Sequence, residues 1–305
     1  MTFTALVIGY GSIGSRHAGI LASMSLVDEV YVLSSQEHIP YKTIRSLQEI
    51  KNIDPDYIVL ASNTSMHYEE LCYFENNFRD KTILVEKPLF QQYHDLNIQN
   101  NSVWVGYNLR FHPLIQLIKK KTDGKKLWHI QVFCGSYLPE WRPGRDYRDT
   151  SSARREKAGG VLLDLSHELD YVQWMAGKVV PEYVVLGKAS DLNIETDDLF
   201  VLVGRTEEEA TVQITLNYFT RQPVRKIIID GEGISIEGDL IAGSAKVTED
   251  GNKLDYAWPE LSPNFTYQAE HENLLSRDFD GACTFLEGQE LMRLIDLCQS
   301  KSISY

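Results

Sequence analysis

The feature that most restricts how this chain can fold lies in its first fifteen residues. The turn Gly9-Tyr10-Gly11-Ser12-Ile13-Gly14 follows the apolar run Ala5-Leu6-Val7-Ile8 and precedes a helix-like stretch from Ser15 to Met24. Three glycines at this spacing between a strand and a helix have separate geometric tasks. Gly9 permits the tight turn, Gly11 lets the backbone approach a pyrophosphate, and Gly14 lets helix and strand pack closely. The first turn of the helix adds unpaired amide groups and a partial positive charge. Gly9, Gly11, Ser12, Ile13 and Gly14 are therefore candidates for holding a dinucleotide.

The following hundred residues repeat the pattern of short apolar runs and helical stretches that builds a parallel sheet covered on both faces. Strands are expected at Ala5 to Ile8, Glu29 to Leu33, Tyr57 to Ala61, Ile83 to Val85 and Val103 to Val105, with a weak strand and a helix between Lys42 and Ile50. Beyond residue 110 the texture changes. Leu127 to Tyr137, Glu182 to Ala189, Leu199 to Arg205, Ala210 to Tyr218 and Val224 to Glu237 read as strands with few helices between them, which implies antiparallel pairing. Helices are expected at Pro113 to Lys120, Leu163 to Met175 and Phe265 to Cys298. The expected fold is α/β: a doubly wound Rossmann domain over residues 1–112, then an α+β domain over residues 113–305 built on a large, mostly antiparallel sheet.

A length of 305 residues suits two domains, and 43% hydrophobic with 24% charged residues is ordinary for a globular protein. The formal net charge of -13 disfavours nucleic acid and anionic membranes as partners. No apolar stretch approaches the roughly 18 residues that cross a bilayer, and no export signal is read at the N-terminus, so a cytoplasmic protein is expected. Cys72, Cys134, Cys283 and Cys298 are scattered without metal-site spacing, so neither a metal nor a disulfide framework is expected.

An acid at the end of the second strand would bind the ribose 2′-hydroxyl of NAD, but the chain reads Leu33-Ser34-Ser35-Gln36. Hydroxyls at Ser34 and Ser35 can donate to a 2′-phosphate. The cofactor is thus expected to be NAD(P), with NADP slightly favoured. Two further signals bear on chemistry. Glu86-Lys87-Pro88 directly follows Ile83-Leu84-Val85, which puts Lys87 at the carboxyl edge of the sheet, where a lysine can stabilise charge on a reacting oxygen. In the segment from Gly159 to Asp170, His167 stands three residues from both Asp164 and Asp170, so on a helix the three share an edge and the histidine is suited to proton transfer.

These residues resemble the Gfo/Idh/MocA oxidoreductases, a family that includes glucose-fructose oxidoreductase and inositol dehydrogenase. The likeness rests on GYGSIGSRH at Gly9 to His17, ASNTSMH at Ala61 to His67, EKP at Glu86 to Pro88, VGYNLRFHP at Val105 to Pro113 and GGVLLDLSHELDYVQWMAG at Gly159 to Gly177. It implies hydride transfer between NAD(P) and a sugar or polyol carbon, with assembly into dimers or tetramers through the C-terminal sheet. It implies that Lys87 is the active-site lysine, His167 the acid/base histidine and Asp170 its orienting partner. In inositol-dehydrogenase-like members an aspartate lies four residues before that histidine. Here the position is Leu163, and Asp164 is one residue later. The resemblance also puts Asn63, Thr64, His67 and Glu86 with Lys87 on the cofactor side, and Tyr107, Asn108 and Arg110 beside the substrate. A sensor without turnover, or an epimerase-like enzyme that retains its cofactor, are the alternatives.

The segment Leu138 to Lys157 carries six basic residues, Arg142, Arg145, Arg148, Arg154, Arg155 and Lys157, against the acids Glu140, Asp146, Asp149 and Glu156. Arginines bind phosphate or carboxylate in bidentate fashion, and Trp141 and Tyr147 can stack on a sugar or base. Trp141, Arg142 and Arg145 are accordingly candidates for an anionic sugar. Pairing of these arginines with neighbouring acids on a solvated loop is the competing reading. The segment is also similar to family members of bacterial surface-sugar (nonulosonic acid) synthesis.

Overall fold

A computed structural model describes residues 2–303. The chain divides into two compact units, one of Met1–Phe111 with Pro263–Met292, the other of His112–Ser262 with Arg293–Tyr305. The first holds β1 (Phe3–Ile8), α1 (Ser12–Ser23), β2 (Val27–Leu33), β3 (Lys42–Ile44), α2 (Ile50–Ile53), β4 (Tyr57–Leu60), α3 (His67–Asn77), β5 (Thr82–Glu86) and β6 (Ser102–Gly106). The second follows with α4 (Pro113–Thr122), β7 (Leu127–Gly135), α5 (Val161–Asp164), α6 (His167–Ala176), β8 (Val179–Gly187), β9 (Leu199–Thr206), β10 (Thr211–Asn217), β11 (Val224–Gly231), β12 (Ile234–Asp239), β13 (Ser244–Glu249) and β14 (Asn252–Ala257). The chain returns to the first unit with α7 (Phe265–Ser276) and β15 (Cys283–Thr284), and α8 (Phe285–Lys301) contributes residues to both.

In the first unit seven strands run in the order β15-β6-β5-β4-β1-β2-β3, parallel except for β15. Their central strands are apolar on both faces because both faces are covered: Ala5, Leu6, Val7 and every residue of β4 are fully buried. Helix α1 buries Gly14, His17, Ala18 and Leu21, a spacing of three and four residues that makes one apolar stripe. Since β1, β4 and β5 are parallel, Gly9 and Lys87 emerge at the same edge of the sheet.

The second unit is an eight-stranded sheet, β14-β13-β12-β11-β7-β10-β9-β8, antiparallel except for the β7/β10 pair. The register explains its two faces. Val184, Leu202, Ile214, Val132, Ile227 and Ala245 stand in one cross-strand row, and all are buried. The adjacent row, Tyr183, Val203, Gln213, Gln131, Ile228, Glu237 and Lys246, points the other way and mixes polar with half-exposed apolar residues. No helix among the described residues is long and apolar enough to cross a membrane.

Four expectations change. The segment 263–292 was expected in the second domain, yet it belongs with the first unit. Leu274, Leu275 and Ala282 join the apolar cluster formed by β1, α1, β2 and β4, and β15 extends the sheet. The single helix from Phe265 to Cys298 is two helices, because Arg277, Phe279 and Gly281 all take positive φ. The strand from Val224 to Glu237 is a hairpin that turns at Gly233. The β13/β14 hairpin was not anticipated, although Asp250-Gly251, both at positive φ, is a strong hairpin signal.

Candidate functional site

The glycine turn is shaped by sterics. A Cβ on Gly9 would lie 2.6 Å from the Ala61 carbonyl oxygen, and one on Gly14 would lie 2.0 Å from the carbonyl oxygen of Gly9. Nothing stands within 4 Å of the corresponding position at Gly11. Gly9 N–H donates to Leu33 O and Ala61 N–H to Ile8 O, so the ends of β1, β2 and β4 are tied around the turn. Gly11 caps α1 without a side-chain bond, and no acid sits in the first helical turn. An open backbone cradle at an uncapped helix N-terminus, free of negative charge, fits a pyrophosphate.

Beside the cradle, Gln36 Nε2 donates to Tyr10 O and Ser34 Oγ accepts from Gln36 N–H, while Ser35 is exposed. Sequence reasoning missed Arg45. It follows β3, and its Nη1 donates to the carbonyl oxygens of Ser34 and Gln36, at 2.6 Å in the latter case. Its guanidinium thus lies next to the two serines, while the Glu49 carboxylate accepts its backbone N–H.

Asn63 is exposed and Thr64 half-buried on the short helical turn before α3. His67 is buried, with Nδ1 3.3 Å from the carbonyl oxygens of both Pro88 and Leu89. Burial holds this imidazole below its usual pKa, so it is neutral, with Nδ1–H donating and Nε2 left as a buried acceptor without a partner among the described residues. Glu86 ends β5, and the Lys87-Pro88 peptide is cis. Burial alone would push the Glu86 carboxyl up. The bond and charge of His17, with Lys87 beside it, outweigh burial and hold it below the usual range. Tyr107, Asn108 and Arg110 are buried within the first unit. Asn108 Nδ2 donates to Thr266 Oγ1 at 2.7 Å, and Arg110 pairs with Glu287 at 3.0 Å.

In the second unit the expected single helix carrying Asp164, His167 and Asp170 is broken. Leu165 leaves helical geometry, so Asp164 ends α5 whereas His167 begins α6, and only His167 and Asp170 share a helix. Asp197, another residue not foreseen, accepts the N–H groups of Val161 and Leu162 and anchors the start of α5. Burial raises the Asp197 carboxyl to about 6. Asp164 accepts the Tyr218 hydroxyl at 2.6 Å, and Glu168, next to His167, forms a two-point ion pair with Arg225. His167 and Asp170 are themselves largely buried.

The arginine-rich segment divides. Arg148 pairs with Asp146, and Arg154 with Glu195 and Asp149. Arg142 and Arg145 make no ion pair among the described residues and line a shallow concavity with Trp141, Tyr147, Thr150 and Ser152. Trp141 is held by its Nε1–H bond to Ser136 and by an edge contact with Tyr218. The pairing reading thus holds for Arg148 and Arg154. No cluster of three or more potential metal ligands occurs among the described residues.

Together these features define a Rossmann-type dinucleotide unit joined to a unit built on a mostly antiparallel sheet. Residues 115–237 match the GFO/IDH/MocA C-terminal domain family, which bears out the resemblance read from the motifs. No curated protein sequence matches the chain. Solved structures share its fold along nearly its whole length. A levoglucosan dehydrogenase in complex with NADH and levoglucosan superposes with a TM-score of 0.84 at 15% identity, covering 99% of this chain and 97% of that one. The WlbA dehydrogenase of Bordetella pertussis, in complex with NADH and UDP-GlcNAcA, gives 0.80 at 17% identity, with 99% and 95% covered. The UDP-N-acetylglucosamine 3-dehydrogenase GnnA of Acidithiobacillus ferrooxidans gives 0.77 at 15%, with 99% and 98% covered.

One group at the cradle carries a pH signature. Burial raises the Glu70 carboxyl to about 7, with the Ser62 hydroxyl bond opposing and Glu69 reinforcing the shift. A carboxyl whose folded pKa exceeds its unfolded one supports the fold at low pH and loses that support as pH rises from about 4.5 to about 7. Glu70→Gln removes the dependence: the variant's stability gain over wild type should be larger at pH 8 than at pH 5, by on the order of 2 kcal/mol in urea titrations. Equal gains at both pH values would contradict it.

Proposed function

We propose that the chain is an NAD(P)-dependent oxidoreductase that moves hydride between the nicotinamide and a hydroxyl or keto carbon of a sugar. The observation that carries this reading is the open glycine cradle with Lys87 at the same edge of one parallel sheet. The dehydrogenases of like fold, solved with NADH and a sugar or sugar nucleotide, support it. When bound, the nicotinamide supplies the hydride acceptor or donor. Gly11 and the amides of Ser12 and Ile13 hold the pyrophosphate, and Asn63, Thr64 and His67 stand on the nicotinamide side. Lys87 donates a hydrogen bond to the sugar oxygen and stabilises the charge that develops there. His167 takes the proton from that hydroxyl, or returns it in the reductive direction, and Asp170, three residues on, keeps its ring oriented. Lys87→Met and His167→Ala should each lower kcat by about 100-fold or more. Cofactor affinity, followed by nicotinamide fluorescence, should stay unchanged. Near-normal turnover in either variant would remove that residue from the mechanism.

The cofactor end favours NADPH. Ser34 and Ser35 offer hydroxyls, and Arg45 adds a charge whose guanidinium suits a phosphate. Arg45→Ala should reduce kcat/KM for NADPH by about tenfold while leaving NADH unaffected, since a hydrogen bond to a charged group contributes about 1.5–3 kcal/mol. A wild-type preference for NADH would overturn this part.

For the substrate we favour an anionic sugar, with Arg142 and Arg145 as its charge partners and Trp141 as a stacking surface. Arg142→Ala with Arg145→Ala should raise KM for phosphorylated or nucleotide-linked sugars by about tenfold or more and leave neutral polyols untouched. Equal use of neutral and anionic sugars by the wild type would count against it.

A further inference from the structure

A string of four buried side chains runs through the first unit. Tyr57 of β4 lies 2.8 Å from His271 Nδ1, His271 Nε2 lies 2.8 Å from His17 Nδ1, and His17 Nε2 lies 2.8 Å from Glu86 Oε1. His17 and His271 are fully buried. The second oxygen of Glu86 accepts the backbone N–H of Lys87 at 3.1 Å. An ionised Glu86 is an acceptor at both oxygens, so His17 Nε2–H donates to it, and the other two contacts join His17 to His271 and His271 to Tyr57. Burial and the neighbouring His17 hold His271 well below its usual pKa, which agrees with a neutral ring in that place.

The box around Glu86 is closed. His17 faces it from α1, His67 from α3 and Tyr267 from α7, with Lys87 next to it in the chain. On the side of β6, a Cβ at Gly106 would lie only 3.2 Å from Glu86 Oε1. His17 is the side chain that donates to this carboxylate, and it sits on the helix that begins at the glycine cradle.

We propose that His17 is a positioning residue for Lys87: it holds the Glu86 carboxylate that in turn fixes the backbone of the Lys87 turn, setting the lysine and the cradle helix as one piece. The kinetic part of this proposal rests on the hydride-transfer reading above. Without His17 the burial of Glu86 prevails and its carboxyl takes up a proton, so one of its two acceptor oxygens becomes a donor.

The test compares His17→Leu, which fills the space without hydrogen bonds, with His17→Gln, whose amide can still donate to Glu86, both in the full chain and with melting curves to show folding. Infrared difference spectra against the corresponding Glu86→Gln chains report the carboxyl directly. At pH 7 a protonated-carboxyl band is expected in His17→Leu and none in the wild type. In His17→Leu, kcat should fall about tenfold or more with both KM values within about threefold, and the acid limb of the kcat profile should move up by about one unit. His17→Gln should restore kcat to within about threefold of wild type. A folded His17→Leu with wild-type kcat and pH profile, or a His17→Gln equally impaired, overturns the proposal. If His17→Leu does not fold, Glu86→Gln decides: wild-type kcat in that folded variant overturns it, and a loss of kcat at constant KM supports it. A wild-type chain inactive on every sugar overturns the hydride reading instead; the infrared band then judges the His17–Glu86 link, and its absence in His17→Leu overturns that link.

Discussion

A buried carboxylate organises the first unit. Removing an ionised group from water is costly unless hydrogen bonds replace the lost hydration, and Glu86 receives two, from His17 and from the Lys87 amide. That requirement explains why β5, α1 and α7 are tied at one point. It also explains why a segment more than 170 residues further along the chain returns to this unit: α7 supplies His271, which in turn holds His17. The apolar contacts of Leu274 and Leu275 beside α1 do the bulk of the packing, and the polar string fixes its register.

The second unit solves a comparable problem differently. Glu168 is fully buried beside His167 and is matched by the two-point bond from Arg225 on β11. Asp164 is matched by Tyr218, and Asp197 by the amides that open α5. The start of α6, where His167 stands, is thereby tied to β11, and α5 before it to the residues just after β10 and just before β9. A side chain that exchanges protons with a substrate benefits from such a frame, because a misplaced base loses rate steeply. The arginine-rich segment shows the complementary arrangement. Arg148 and Arg154 are consumed by acids within reach, and Arg142 and Arg145 face the concavity beside Trp141.

Much of this was legible from residue order. The cradle could be read because glycine spacing is a local steric statement, and the Glu86-Lys87-Pro88 turn because the strand before it is a continuous apolar run. Arg45 was not legible as a neighbour of Ser34 and Ser35: it reaches the Ser34–Gln36 loop through the pairing of β2 with β3, and that pairing brings together residues about ten apart. The break between Asp164 and His167 was hidden as well. The helical spacing there is good, and the carboxylate that holds the start of α5 lies more than thirty residues away. The partners of Arg110 and Asn108, Glu287 and Thr266, could not be read either, since they come from the far end of the chain.

The sequence by itself determined the strand and helix order of the N-terminal hundred residues, the dinucleotide turn, the lysine at the sheet edge and the family pattern, because each depends on contacts between near neighbours or on a simple periodicity. Tertiary structure decided which unit the C-terminal segment joins, which arginines keep their charge, and how the Lys87 turn is held. Those outcomes depend on the burial of charge, and the energy of a buried charge is set by whichever distant groups the fold brings within hydrogen-bonding distance.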